Sequence, residues 1–300
     1  MNVGFVGTGT MGLPMLTNLI KHGHRVVAYD VVPAAVDAAA ARGAARASSA
    51  ADAASRGEML ITMLPSSSNV ESAYLGSGGV LEGAKRDLLS IDMSTIDPNV
   101  SRRVAAALAG KGVRFIDAPV SGGSVGAENA TLAIMAGGAA EDVNAARPIL
   151  SAMGANIIHV GAVGAGEAAK LCNNLIAGVA AIAVSEAFRI AEGLGVDPKI
   201  LTEVISKSSG NTWVMQNAHP VPGMVETAPS TRDYAPGFMT DLMAKDLALA
   251  VSTARELRIP VFVSPIAQQL LRLASSHGLG RQDFTSVYQL LRASDSAAPV

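Results

Sequence analysis

Lys170 stands in the run Gly164-Ala165-Gly166-Glu167-Ala168-Ala169-Lys170-Leu171-Cys172-Asn173-Asn174, an ammonium among small apolar neighbours. A lysine so placed either snorkels to solvent or has its charge disfavoured by desolvation, which brings its pKa toward a value useful for proton transfer. Asn174 follows one turn later on the same helical face and could hold a substrate hydroxyl or the lysine itself, whereas Asn173 is turned roughly 100° away. Lys245, in LMAKDLALA, repeats the pattern of a charge flanked by apolar helical positions, with Asp246 beside it expected to project elsewhere and open to a local pairing. Ser121-Gly122-Gly123 offers a hydroxyl and two unobstructed backbone N–H groups in one concavity, which suits a carboxylate, although the triplet is common in loops.

GTGTMG, from Gly7 to Gly12, suits a different anion. It follows the apolar run Val3-Gly4-Phe5-Val6 and precedes Leu13, Leu16, Leu19 and Ile20 at helical spacing, so it reads as strand, tight turn, helix. Gly7 permits the sharp turn, Gly9 lets backbone approach a pyrophosphate, and Gly12 lets helix and strand pack closely. Thr10 and Met11 complete that turn as cofactor-binding candidates. A second strand over 25–29 ends at Asp30, 18 residues after Gly12, where a dinucleotide fold places an acid for the adenosine ribose hydroxyls. A carboxylate there repels a 2′-phosphate, so NAD is expected over NADP.

These residues need elements to position them. Strand-like runs recur at 59–64, 88–93, 113–118, 132–135 and 156–160 with helical segments between them, which predicts an α/β domain with a parallel sheet covered by helices on both faces. Ligands of such sheets lie beyond the carboxyl ends of the strands. Leu64-Pro65 and Asp92-Met93-Ser94-Thr95 occupy such ends, and Asp97-Pro98 fixes the start of the next helix, so Thr95 either faces the cofactor or assists the turn. From Gly166 a run of about 27 residues reads as one helix ending at Gly193, apolar on nearly every side through its first two-thirds. Helical spacing returns at 198–207, 238–257, 265–277 and 283–292, making the second half all-α. Domain boundaries are expected at 1–163 and 164–300, with 164–193 as an interdomain helix. The proline-rich segment 211–237 is a candidate substrate-covering loop, in which Trp213 either walls a pocket or plugs the domain boundary. Residues 294–300 read as a frayed tail.

Composition narrows the function classes. The chain's 23 basic and 25 acidic residues suggest no nucleic-acid partner, and 49% apolar content allows a large core. The apolar stretch 175–184 is too short for a membrane span, and the chain opens directly on its first strand, so a cytoplasmic protein without a leader is expected. Cys172 is the one cysteine and is expected to be a packed, inert thiol. The five histidines, at 22, 24, 159, 219 and 277, show no metal-ligand spacing, and no metal is expected.

Taken in order, GTGTMG at 7–12, DMSTIDP at 92–98, DAPVSGG at 117–123, GAGEAAKLCNN at 164–174 and LMAKDLALA at 242–250 resemble the β-hydroxyacid dehydrogenase family over nearly the whole chain, most of all its 3-hydroxyisobutyrate members. The resemblance implies a Rossmann-type domain, a long interdomain helix and an all-α domain, assembled as a homo-oligomeric dimer or tetramer. It implies NAD-dependent oxidation of a small 3-hydroxy acid, with Lys170 as catalytic acid/base. Ser121, Gly122 and Gly123 become the carboxylate site and Asn174 a substrate ligand, while Thr95 and Lys245 contact cofactor or substrate. A semialdehyde reductase, an L-serine dehydrogenase and a non-catalytic nucleotide sensor are the alternatives. The chain departs from the family at Thr8, where leucine is common, and at Ala218-His219-Pro220-Val221-Pro222-Gly223, which lacks an aromatic found in many hydroxyisobutyrate enzymes.

Overall fold

The computed structural model describes residues 1–291, so Arg292 and the tail at 294–300 lie outside the described residues. The chain divides into two compact units, Met1–Lys170 and Leu171–Val300. The division falls inside the long helix, seven residues beyond the boundary expected from sequence.

The first unit alternates strands and helices: β1 (Asn2–Val6), α1 (Gly12–Lys21), β2 (Arg25–Tyr29), α2 (Pro33–Ala41), β3 (Ala45–Arg46), α3 (Ala50–Arg56), β4 (Met59–Thr62), α4 (Ser67–Leu75), α5 (Val80–Gly83), β5 (Leu89–Asp92), α6 (Pro98–Ala109), β6 (Arg114–Asp117), β7 (Val120–Ser121), α7 (Gly123–Glu128), β8 (Leu132–Gly137), α8 (Ala140–Leu150) and β9 (Gly154–Gly161). The sheet runs β3-β2-β1-β4-β5-β6-β8-β7, with β9 paired to β8. Strand order reverses between β1 and β4, which opens the crevice where doubly wound sheets take nucleotides. Alternate strand residues feed opposite faces: Val3, Phe5 and Ile61 enter one core, Val6 and Leu60 the other.

Two departures from the expected parallel sheet concern its far edge. β8 runs antiparallel to β6, through Asp117 and Gly137, and antiparallel to β7, through Val120 and Ile134. The six-residue α7 turns the chain back without the crossover that a parallel neighbour requires. The two-residue strands β3 and β7 escape a reading of periodicity, which needs several residues to register.

α9 (Ala165–Gly193) begins in the first unit and continues into the second, which also holds α10 (Pro198–Ser206), α11 (Trp213–Asn217), α12 (Thr240–Glu256), α13 (Val263–Ala274) and a 3-10 segment at Phe284–Leu291. The second unit packs Ala181, Phe188, Met215, Leu247, Leu271 and Val287 into its own core. The expected all-round apolar helix is corrected by burial along α9: Glu167, Lys170, Asn174, Gly178, Ala181, Ser185 and Phe188 form one buried stripe at helical spacing, while Cys172, Asn173 and Ile176 are exposed. The buried stripe therefore carries four polar side chains, Glu167, Lys170, Asn174 and Ser185, beside the apolar Ala181 and Phe188. By length and composition, α9 is also the one helix among the described residues apolar enough to cross a membrane, which corrects the span estimate taken from 175–184 alone.

Candidate active site

The glycine turn follows β1 at the carboxyl edge. Gly7 has φ +93°, a left-handed conformation that a side chain would strain, and a Cβ there would strike the Met63 carbonyl oxygen. A Cβ on Gly12 would strike the Gly7 carbonyl oxygen, so turn and helix approach as closely as backbone allows. Gly9 faces open space, with nothing within 4 Å of an added Cβ. Met11 precedes α1 and gives its first turn no side-chain cap, so the helix presents its N–H groups as a diphosphate needs. Asp30 follows β2, its Oδ2 accepting from Thr8 N at 2.7 Å and its Oδ1 from Val32 N at 2.9 Å. The turn backbone thus orients the Asp30 carboxylate, and buried Thr8 lies beside it, its Oγ1 3.4 Å from Asp30 Oδ2. This cradle fits a dinucleotide.

At the next strand ends, parallel register sets Thr62, Asp92 and Asp117 side by side. Asp92 Oδ1 accepts from Thr62 Oγ1 at 2.7 Å and from Ser94 Oγ at 2.5 Å, and Ser94 Oγ in turn accepts from Leu64 N at 2.9 Å. The Leu64-Pro65 and Ser94-Thr95 loops are therefore fastened together, with Thr95 half-buried. Asp97 caps α6 through Asn99 N at 2.7 Å, with Pro98 in the first turn, as its sequence demands. Asp117 is fully buried and accepts from Gly164 N at 2.7 Å and Glu167 N at 2.9 Å. Burial pushes its carboxyl up to about 6 against those two donations, and Asp92 pushes in the same direction. Glu167, also fully buried, accepts at Oε2 from Ile96 N at 3.1 Å. Beyond Pro119, Ser121 ends β7, and Gly122 (φ +135°) and Gly123 (φ +62°) turn the chain into α7 in a conformation glycine alone adopts readily. Asn18 of α1 donates to Ala127 O at 2.7 Å, tying α1 to α7.

Lys170 is 5% exposed, so its side chain does not snorkel to solvent. Asn174 is buried one turn further along α9, and its Nδ2 donates to Asp246 Oδ2 at 2.6 Å; Asp246 Oδ1 lies 3.2 Å from Lys245 Nζ. Asp246 therefore pairs locally with Lys245 and joins it and Asn174 in one cluster of the second unit. One expectation is corrected: Cys172 is exposed, roughly 200° around α9 from Lys170, and is no packed thiol. Trp213 opens α11 and is 60% exposed. The 211–237 segment is pinned rather than loose: Ser230 Oγ donates to His219 O, and Tyr234 Oη to Pro220 O at 2.7 Å. Asp117, Glu167 and Ser94 carry no assigned role on sequence grounds; the one available signal is that Asp117 ends an apolar strand run. Among the described residues no group of three or more His, Cys, Asp or Glu could hold a metal ion.

Comparison with known proteins adds to this geometry. Residues 2–161 match the NAD binding domain of 6-phosphogluconate dehydrogenase, and residues 164–291 the NAD-binding domain of NADP-dependent 3-hydroxyisobutyrate dehydrogenase. The chain is 43% identical to the mitochondrial 3-hydroxyisobutyrate dehydrogenase of Bos taurus, over 98% of this chain and 88% of that one. It is 42% identical to the NAD-dependent L-serine dehydrogenase of Pseudomonas aeruginosa, over 96% and 97% of the two chains. The structure of Mycobacterium tuberculosis 3-hydroxyisobutyrate dehydrogenase with L-serine superposes with a TM-score of 0.92 at 41% identity, covering 97% of this chain and 99% of that one.

Proposed function

The chain belongs to the 3-hydroxyisobutyrate dehydrogenase family, and from that premise we propose that it oxidises a small 3-hydroxy acid, 3-hydroxyisobutyrate foremost, to its semialdehyde with NAD. The observation that carries this reading is Lys170, an amine buried on a helix whose first turn is bound to the ends of β5 and β6. Ser121, Gly122 and Gly123 bind the substrate carboxylate. Lys170 Nζ starts oxidation neutral, takes the proton of the 3-hydroxyl and ends charged; reduction runs the same transfer backwards. NAD, when bound, supplies the acceptor for the hydride lost from the carbinol carbon, so the alcohol gives up one hydride and one proton to become an aldehyde. Gly7, Gly9 and Gly12, with Thr10, Met11 and the start of α1, would hold its diphosphate, Asp30 its adenosine ribose, and Leu64, Pro65, Thr95 and Lys245 the remainder. Asp30 would meet a 2′-phosphate with like charge, which favours NAD. Asn174 is assigned to the substrate hydroxyl and Trp213 to the substrate pocket.

L-Serine is the second reading, favoured by the 42% identity to an L-serine dehydrogenase and by serine being itself a 3-hydroxy acid. Rates with a panel of 3-hydroxy acids and with NAD and NADP, followed at the NADH absorbance band, test both. The highest kcat/KM is expected with 3-hydroxyisobutyrate and NAD. No reduction of either cofactor by any member of the panel would leave a nucleotide sensor in its place.

A homo-oligomer is part of the proposal on the family resemblance, and the exposed apolar side chains of α10 and α13, Ile200, Val204 and Ile266, are candidates for its interface. Sedimentation at micromolar concentration reads that state. A cytoplasmic location without a membrane partner completes the proposal, and the near balance of basic and acidic residues is the ground for proposing no nucleic-acid partner.

A further inference from the structure

What holds Lys170 is a separate matter from what it does, and the inference that follows rests on its role as proton carrier. Asp117 closes β6 with a carboxylate that grips two backbone N–H groups in the first turn of α9, Gly164 at 2.7 Å and Glu167 at 2.9 Å. The grip is built at close range. A Cβ on Gly137 would stand 2.6 Å from Asp117 Oδ1, and one on Gly166 would stand 2.9 Å from Oδ2, so both neighbours must lack a side chain for the carboxylate to reach the helix. Glu167, three residues before Lys170, keys the same turn onto the Thr95 loop through Ile96 N at 3.1 Å. A carboxylate at a helix N-terminus also meets the positive end of the helix dipole. Four segments, at 92–96, 117, 137 and 164–167, therefore converge one turn ahead of the buried amine.

We propose that Asp117 is the positioning residue for Lys170, setting the height and rotation of the first two turns of α9, with Glu167 keying that turn to the loop after β5. A helix is stiff over two turns, so a displaced first turn displaces Nζ with it, and a misplacement of about 1 Å costs on the order of 100-fold in rate. The ionisable group that bears on Asp117 is Asp92 on β5, and the clamp gains its charge as pH rises through about 6.

The experiment uses the full-length enzyme with Asp117→Asn, Asp117→Ala, Glu167→Gln, Glu167→Ala and Lys170→Ala. The readouts are kcat, both KM values, NADH affinity by fluorescence, and the deuterium isotope effect on kcat with substrate labelled at the carbinol carbon. Asp117→Ala should lower kcat about 100-fold, while Asp117→Asn, which keeps one acceptor, should recover about a tenth to a third of the wild-type rate, both with NADH affinity within about two-fold. The isotope effect should rise as hydride transfer becomes limiting. Glu167→Gln should stay within about three-fold of wild type, because its amide oxygen still accepts from Ile96 N, whereas Glu167→Ala should not. Should Asp117→Ala fail to fold, Asp117→Asn and the Glu167 pair decide the question equally well. Wild-type kcat in the Asp117 variants overturns the inference, as does a loss of NADH affinity in step with kcat, which marks general loosening. Wild-type turnover in Lys170→Ala would overturn the reading of the lysine itself; an inactive Lys170→Ala beside fully active Asp117 variants overturns the positioning role alone.

Discussion

Asp117 in the sheet unit and Asp246 in the helical unit are both buried carboxylates beside residues assigned to the chemistry, yet they are satisfied in opposite ways. Asp117 accepts from the backbone, at Gly164 and Glu167, and so fixes where a helix begins. Asp246 accepts from the Asn174 side chain and lies against Lys245, and so fixes where two side chains point. The first arrangement governs geometry and is costly to alter without moving an element; the second governs orientation and charge within a helix bundle that stands on its own core. A carboxylate's contribution is set by what it grips more than by how deeply it lies.

The largest effect expected from breaking this contrast belongs to Asp246→Ala. It strips the buried acceptor from Asn174 and the carboxylate from beside Lys245, and losing a buried hydrogen bond to a charged group costs about 2–3 kcal/mol. Urea denaturation followed by the fluorescence of Trp213, the one tryptophan, should show that loss in the helical unit. Hydrogen exchange over 164–170 should stay at the wild-type level in this variant and accelerate in Asp117→Asn. Equal acceleration in both would erase the distinction.

Gly12→Ala probes the sheet unit at its cofactor end. The added Cβ meets the Gly7 carbonyl oxygen, and relieving such overpacking costs about 1–3 kcal/mol, which corresponds to roughly a 10- to 100-fold loss of NADH affinity. Fluorescence titration reads it. Unaltered affinity would mean that the turn is no phosphate cradle.

The smallest effect is a pH response confined to the helical unit. His219 is fully buried, its Nδ1 accepts from Val221 N at 3.1 Å, and its ring stands edge-on to Phe188 at 4.6 Å. Burial lowers it to about 4 from the ordinary 6.5. Below 6.5 the unfolded chain takes up a proton that the folded chain refuses. The neutral ring's contribution is therefore complete above pH 6.5 and is lost as pH falls toward about 4. Between pH 7 and 5 the urea midpoint read at Trp213 should fall further in wild type than in His219→Leu. Asp283, whose carboxyl is raised by burial in the same unit, is common to both proteins and cancels. Parallel slopes would remove His219 as the cause.

The two units also differ in how much of them is legible in the sequence. Strand, glycine turn and helix at 3–20 can be read because each carries its own period or its own backbone demand, and Asp97-Pro98 announces the start of α6. The extent of α9 follows from propensity, but its polar buried stripe does not. Alanine-rich text looks apolar on every side, and only packing reveals which side is covered. The direction of Asp246 is hidden because neighbours on a helix diverge, and its partner Asn174 lies 72 residues away in sequence. The same long range hides the grip of Asp117 on a turn 47 and 50 residues downstream.

The proposed chemistry stands or falls on the amine of Lys170 carrying the substrate's proton. Single-turnover reduction of NAD by 3-hydroxyisobutyrate, followed at the NADH band in wild type and in Lys170→Ala, isolates that step. The rate in the variant should be about 10²- to 10⁴-fold lower, with NADH affinity within about two-fold of wild type. A variant that binds NADH normally and reduces NAD at the wild-type rate would refute the assignment.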